Sequence, residues 1–272
     1  MRSSMEQNIM HNRKKEDKEM IQFVIRADDV GYSEAVNYGI EKSVKEGLIG
    51  SVGVMPNMPS VEHGLKLLEG TGVSLGQHTN VCLGKPCADP VLIPSLLNEN
   101  GEFKSSRSYR EAFQRGEDFV VLDEVVIEIE AQYERFKALT GQEPDYFEAH
   151  AVMSKNLYQG LEIVAQRHNL RYSNMSPMDE IGTFAGRKVA SCSMGSMLAD
   201  YDAVQCLKDA VLHAREDMPN IYVCHPGYLD DYLLRSSSLT INRTKEVVML
   251  TDPQVKAWVE EQDVELLTYR DI

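Results

Sequence analysis

The sequence predicts an α/β fold: an irregular or incomplete (β/α) barrel of parallel strands, with its active site at the strand C-terminal ends. Three observations predict it. Short apolar runs alternate with amphipathic helical stretches, an order that yields a parallel sheet. The length, 272 residues, suits one barrel of about 250 residues. Ionisable side chains keep falling where an apolar run ends, the edge of such a sheet where ligands gather.

The first strand is Phe23-Val24-Ile25-Arg26-Ala27-Asp28-Asp29-Val30. Gly31 breaks it, and Ser33 caps a helix that runs through Ile40 to Lys45. Residues 48–55 form the second strand, closed by Pro56 and Pro59. Residues 60–69 are helical, with Val61, Leu65 and Leu68 on one face. Residues 72–80 are a third short strand. Residues 84–120 are irregular and rich in Pro, Ser, Asn and Arg, which predicts a lid or binding insertion. Residues 122–140 are a strong amphipathic helix stopped by Gly141, and 144–150 are the next strand and its end. Residues 157–168 are helical, 173–203 loop-like and 204–215 helical. The stretch 220–227 is a strand broken at Pro226-Gly227. Residues 240–249 are helical, Pro253 opens the last helix, and 264–267 are the final strand. Residues 1–20 read as a polar, disordered or loosely helical leader with no apolar signal segment, and 21–272 as one catalytic domain.

The formal net charge of −14 argues against a nucleic-acid or anionic-membrane partner. No apolar stretch is long enough to span a membrane. The five cysteines are odd in number, irregularly spaced and without a CxxC pair. This suits a reducing cytoplasm and argues against a disulfide framework. A homodimer is left open.

The chemistry collects at four strand ends: Asp28 with Asp29, then His78, His150 and His225. Two adjacent carboxylates repel unless a cation holds them. A lone His is most often structural. Three that each close an apolar run on one face of a barrel need another explanation. Two imidazoles and one carboxylate are a common ligand set for a catalytic divalent metal, Mg2+ or Zn2+. The remaining acid and His are then available as base and acid. His11, His63, His168 and His213 lack this context and read as structural or surface groups. No GxSxG elbow, GxGxxG fingerprint or Walker loop is present.

Four segments resemble one known family, the YdjC-like carbohydrate deacetylases. They are Arg26-Ala27-Asp28-Asp29-Val30-Gly31-Tyr32-Ser33 with Val36-Asn37-Tyr38-Gly39-Ile40, Gly76-Gln77-His78-Thr79-Asn80 with Gly84-Lys85-Pro86, Glu148-Ala149-His150, and Cys224-His225-Pro226-Gly227-Tyr228. They run in family order and span most of the chain. The resemblance implies a distorted barrel that removes N-acetyl groups from amino sugars or chito-oligosaccharide-like substrates with a divalent metal. By the same resemblance Asp29, His78 and His150 are metal ligands, Asp28 is the base and His225 the proton donor. One departure is that many members carry a His-rich run where this chain has Ala151, Val152 and Met153. Two other readings are a phosphodisaccharide hydrolase, which needs two carboxylates flanking a glycosidic bond, and a non-catalytic sugar-binding protein. Asp28 and His225 argue against the second, since binding alone needs neither base nor acid.

Overall fold

A computed structural model describes residues 20–175 and 180–272. The expected leader therefore lies almost wholly outside the described residues. Strands β1 (Ile21–Val30), β2 (Ser51–Val54), β3 (Ser74–Thr79), β4 (Tyr146–Ala149), β5 (Ser173–Asn174), β6 (Ile181–Phe184), β7 (Arg187–Ser191), β8 (Asn220–Cys224) and β9 (Val264–Leu267) join one sheet. Its order is β4-β3-β2-β1-β8-β7-β6-β5, with β9 beside the first half of β1. Pairing is parallel from β4 through to β7 and antiparallel across β7, β6 and β5. Among the described residues, a bridge of Phe147 with Tyr172 links β4 to the start of β5 and nearly closes the barrel.

The helices follow from caps and periodicity. Helix α1 (Glu34–Lys45) starts where the Ser33 side chain accepts from the Val36 N–H, and α2 (Val61–Leu68) follows β2. Helices α3 (Ser106–Gln114), α4 (Leu122–Thr140) and α5 (Lys155–His168) come next. Gly141, at φ 70°, ends α4 in the left-handed region that favours glycine. Helices α6 (Ala203–Leu212), α7 (Asp231–Ser236), α8 (Ile241–Thr251) and α9 (Pro253–Glu260) complete the set.

Two stretches depart from the sequence reading. Residues 173–203 are not simply a loop: they hold β5, the β6–β7 hairpin and the edge that pairs with β8. The hairpin turns on Ala185 and Gly186, both at positive φ, and an Ala there gives none of the Asn-Gly signal such turns usually carry. Residues 84–120 are not structureless either. They contain two 3-10 turns and α3, and bury Ile93, Leu96, Phe103 and Tyr109 against α4 and α5.

Alternation along β1 sorts its side chains. Phe23, Ile25 and Ala27 pack outward under the helices, while Val24 joins the barrel interior with Tyr146, Phe184, Ile221 and Tyr269. Arg26 and Asp28 continue that inward row toward the strand ends. The interior is tight. A Cβ added to Gly76 would lie 2.2 Å from the Tyr146 ring. Gly76→Ala should therefore lower stability by about 1–3 kcal/mol through overpacking. Urea unfolding would show this as a lower midpoint with an unchanged slope, and an unchanged midpoint would contradict it.

Candidate metal centre

The two acids of β1 share one pocket because the strand stops being regular between them. Pairing with β2 shifts register between Ala27 and Val30. Asp29 takes φ 81°, a left-handed conformation unusual for any residue but glycine. The extra residue turns Asp29 to the side where alternation already puts Asp28. Such a conformation costs of order 1–3 kcal/mol and persists only where its surroundings enforce it.

His78 comes from β3 and Glu148 from the register position opposite it on β4. His150 follows two residues later. Asp29 Oδ1 lies 3.3 Å from His150 Nδ1 and 3.5 Å from His78 Nε2, and those two nitrogens are 2.8 Å apart. The other His78 nitrogen, Nδ1, bonds Glu148. The other Asp29 oxygen accepts from Arg243 on α8 at 2.7 Å. Asp28 Oδ2 accepts from Arg26 at 2.8 Å, and Arg26 also reaches Glu148 at 3.4 Å and the Tyr269 hydroxyl at 3.0 Å. His225, half-buried, follows β8 at the same rim.

The arrangement thus brings together Asp28, Asp29, His78 and His150, and sets His225 within electrostatic reach of both acids. Of the remaining His residues, His63 meets Asn37 and His168 meets Glu130, while His213 bonds the Asp209 carbonyl oxygen in an exposed setting. His11 lies outside the described residues. Sequence reasoning missed Arg243 as the partner of Asp29, and it missed Gly53. A Cβ on Gly53 would sit 2.6 Å from Asp28 Oδ1 and 3.1 Å from His78 Cβ, so only glycine leaves room for this pair.

The electrostatics follow from burial and neighbours. Burial penalises the Asp29 charge, but Arg243 and the two imidazoles outweigh it and hold the carboxyl well below the usual carboxylate range. Burial works to lower the His150 pKa; Cys82 and Asp29 outweigh it and raise it to about 9. Asp28, Glu148 and Asp29 likewise overcome burial at His78, which rises well above its ordinary value. His225 goes the other way. Desolvation, only partly offset by Asp29, lowers it to about 4.

Asp29, His78 and His150 fit a divalent cation. Asp29 Oδ1 is buried with no hydrogen-bond partner. The three donor atoms are 2.8–3.5 Å apart, the mutual spacing of ligands about 2.0–2.2 Å from one ion. Glu148 on the far side of His78 fixes that ring as carboxylates do behind metal-bound imidazoles. A second cluster, Asp28, His78 and Glu148, also has the right groups. There Arg26 and His78 already engage both Glu148 oxygens and Arg26 one Asp28 oxygen, so only Asp28 Oδ1 is left open to an ion.

Donors of this kind at the C-terminal rim of a parallel barrel define an α/β-barrel protein with a divalent-cation centre as its candidate site. More narrowly, the chain belongs to the YdjC-like protein family, whose profile matches residues 22–261. It is 32% identical over 257 residues to a carbohydrate deacetylase from Geobacillus stearothermophilus, covering 91% of this chain and 96% of that one. It is 29% identical over 262 residues to carbohydrate deacetylase 2 of Listeria innocua, covering 93% and 99%. Among solved structures it resembles a proposed cellobiose-phosphate cleavage protein from Enterococcus faecalis V583. There the TM-score is 0.77 at 25% identity, over 93% of this chain and 98% of that one.

Cation binding must displace protons from the raised imidazoles. Zn2+ titrated into metal-free protein at about pH 7.5 should release about one proton or more per ion. Calorimetry in buffers of different ionisation enthalpy reads this number. The sign for stability is the reverse. A His150 pKa raised from 6.5 to about 9 stabilises the metal-free fold fully below 6.5, and that contribution is lost as pH rises through about 9. The metal-free melting temperature should fall across that window while cation affinity rises. Absence of proton release would show that both rings are already neutral.

Proposed function

We propose that this protein removes an N-acetyl group from an amino sugar or chito-oligosaccharide-like substrate. Asp29, His78 and His150 would hold a divalent ion, Asp28 would act as base and His225 as acid. The observation that carries this reading is the convergence of an unpartnered carboxylate oxygen and two imidazole nitrogens beside a second, Arg-held acid. The names of the Geobacillus and Listeria relatives agree with it.

An amide carbonyl is a poor electrophile and water a poor nucleophile. A bound divalent ion supplies polarisation of the one and acidification of the other. The chain's own residues do the rest. Arg26 holds Asp28 Oδ2 and leaves Oδ1 buried without a partner, an acceptor free to take a proton from the attacking water. As that water adds, the C–N bond of the tetrahedral intermediate must break with a proton on nitrogen. His225, with its pKa lowered to about 4, enters as the neutral imidazole. Here the proton that His225 passes to the leaving amine is first gained during the reaction, from the proton that Asp28 removes. A neutral resting ring also avoids repelling the nearby cation.

The Enterococcus relative's description favours a second reading, cleavage of a disaccharide phosphate. Glycosidic cleavage needs two carboxyl groups across the scissile bond. In this site Asp28, Asp29 and Glu148 are all engaged by Arg26, Arg243 or His78 around one cluster. Acetate release from an N-acetylglucosamine oligomer, measured against sugar release from cellobiose phosphate, separates the two. Acetate without glycosidic cleavage is expected, and the opposite result would replace the proposal.

The base assignment makes a separate prediction. In Asp28→Asn the amide oxygen faces Arg26, which puts an NH2 donor where the free acceptor was. Bound metal should remain, and turnover should fall by about 100-fold or more, the usual worth of a positioned base. Loss of metal together with activity would instead make Asp28 a ligand.

A further inference from the structure

Helix α8 carries two buried charged residues three positions apart, Arg243 and Glu246. Arg243 is explained by Asp29. The proposed reaction makes no use of Glu246, which is only 2% exposed. Its two oxygens are both engaged: one accepts the His225 backbone N–H at 2.5 Å, the other the Tyr201 hydroxyl at 2.9 Å. Arg243 adds a donor to the His225 carbonyl oxygen at 3.4 Å, and its own carbonyl oxygen accepts from the Gly227 N–H at 3.4 Å. The β1–β8 ladder ends at Ala27 with Cys224. His225 is thus the first residue past the ladder, and a single helix face grips its backbone on both sides.

We infer that Glu246 is a positioning residue for His225: by holding the His225 N–H it aims the imidazole at the Asp28–Asp29 rim. Burying a carboxylate is expensive without such partners. Nothing in the helix itself requires one at this place, since Val247, Met249 and Leu250 pack the surrounding core. Tyr201 completes the grip by orienting the carboxylate, which leaves it one free direction, toward His225. The packing behind the turn is equally close. A Cβ on Gly39 would lie 2.4 Å from Gly227 Cα, so α1 backs the turn that α8 holds.

The inference rests on the proposed reaction, and its test has one arm that needs no turnover. Glu246→Ala should lower kcat by about 10- to 100-fold, the scale of a misplaced proton donor, with KM and bound metal unchanged. Glu246→Gln should stay within about threefold of the parent, because its amide oxygen accepts the same N–H. The second arm follows the His225 backbone amide by 15N NMR. It should be strongly protected from exchange, and Glu246→Gln should shift it more than any amide outside α8 and the 225–228 turn. This arm decides the matter even if Glu246→Ala does not fold. Full kcat in Glu246→Ala, a Gln variant as impaired as the Ala variant, or a His225 amide that does not respond would each overturn the inference. A protein that releases no acetate yet shows the amide response would sink the reaction and leave Glu246 in its place.

Discussion

Three carboxylates, Asp28, Asp29 and Glu148, are buried at one rim of the barrel, and much of the structure answers their charge. Leaving one such group without its partner costs about 3–5 kcal/mol. Arg26 bridges Asp28 and Glu148, with its guanidinium near the Tyr146 and Tyr269 rings. Arg243 arrives from the far end of the chain to meet Asp29. The two imidazoles face what remains, and the neighbouring acids, with Cys82 beside His150, outweigh burial and raise both pKa values. One oxygen each of Asp28 and Asp29 is left over, and the Asp29 oxygen, facing two imidazole nitrogens, is what makes the rim a candidate cation site.

The same constraint sets local geometry. A regular strand would send Asp28 and Asp29 to opposite faces, and only the register shift and the left-handed Asp29 bring both inward. Gly53 gives them room. Strain of this sort collects at functional sites because packed surroundings sustain it. Here those surroundings are the Arg243 ion pair and the buried core under β1. Positions fixed by strand ends are also stiffer than loop positions, which suits chemistry that depends on ångström-scale placement.

Much of this was legible in the sequence, and the limits have physical causes. The first strand could be read because its apolar run is unbroken and ends at a glycine. The His residues stood out because each closes such a run. Arg243 could not be paired with Asp29, because 214 positions separate them and only the packing of α8 joins them. Glu148 was visible, but its bond to His78 depends on the β3–β4 register, which a one-residue slip would undo. Strands β5, β6 and β7 escaped notice because they are short and their turn uses Ala185. The insertion at 84–120 hid its own small core because its apolar residues follow no single period.

The central claim is that Asp29, His78 and His150 form the cation site, while Asp28 and Glu148 stand outside it. Anomalous diffraction from crystals grown with Zn2+ tests it most directly. The account predicts one peak about 2.0–2.2 Å from Asp29 Oδ1, His78 Nε2 and His150 Nδ1, with the Arg26–Asp28 ion pair intact. A peak bonded to Asp28 and Glu148 in place of Asp29 and His150, or no peak at the rim at saturating Zn2+, would contradict it.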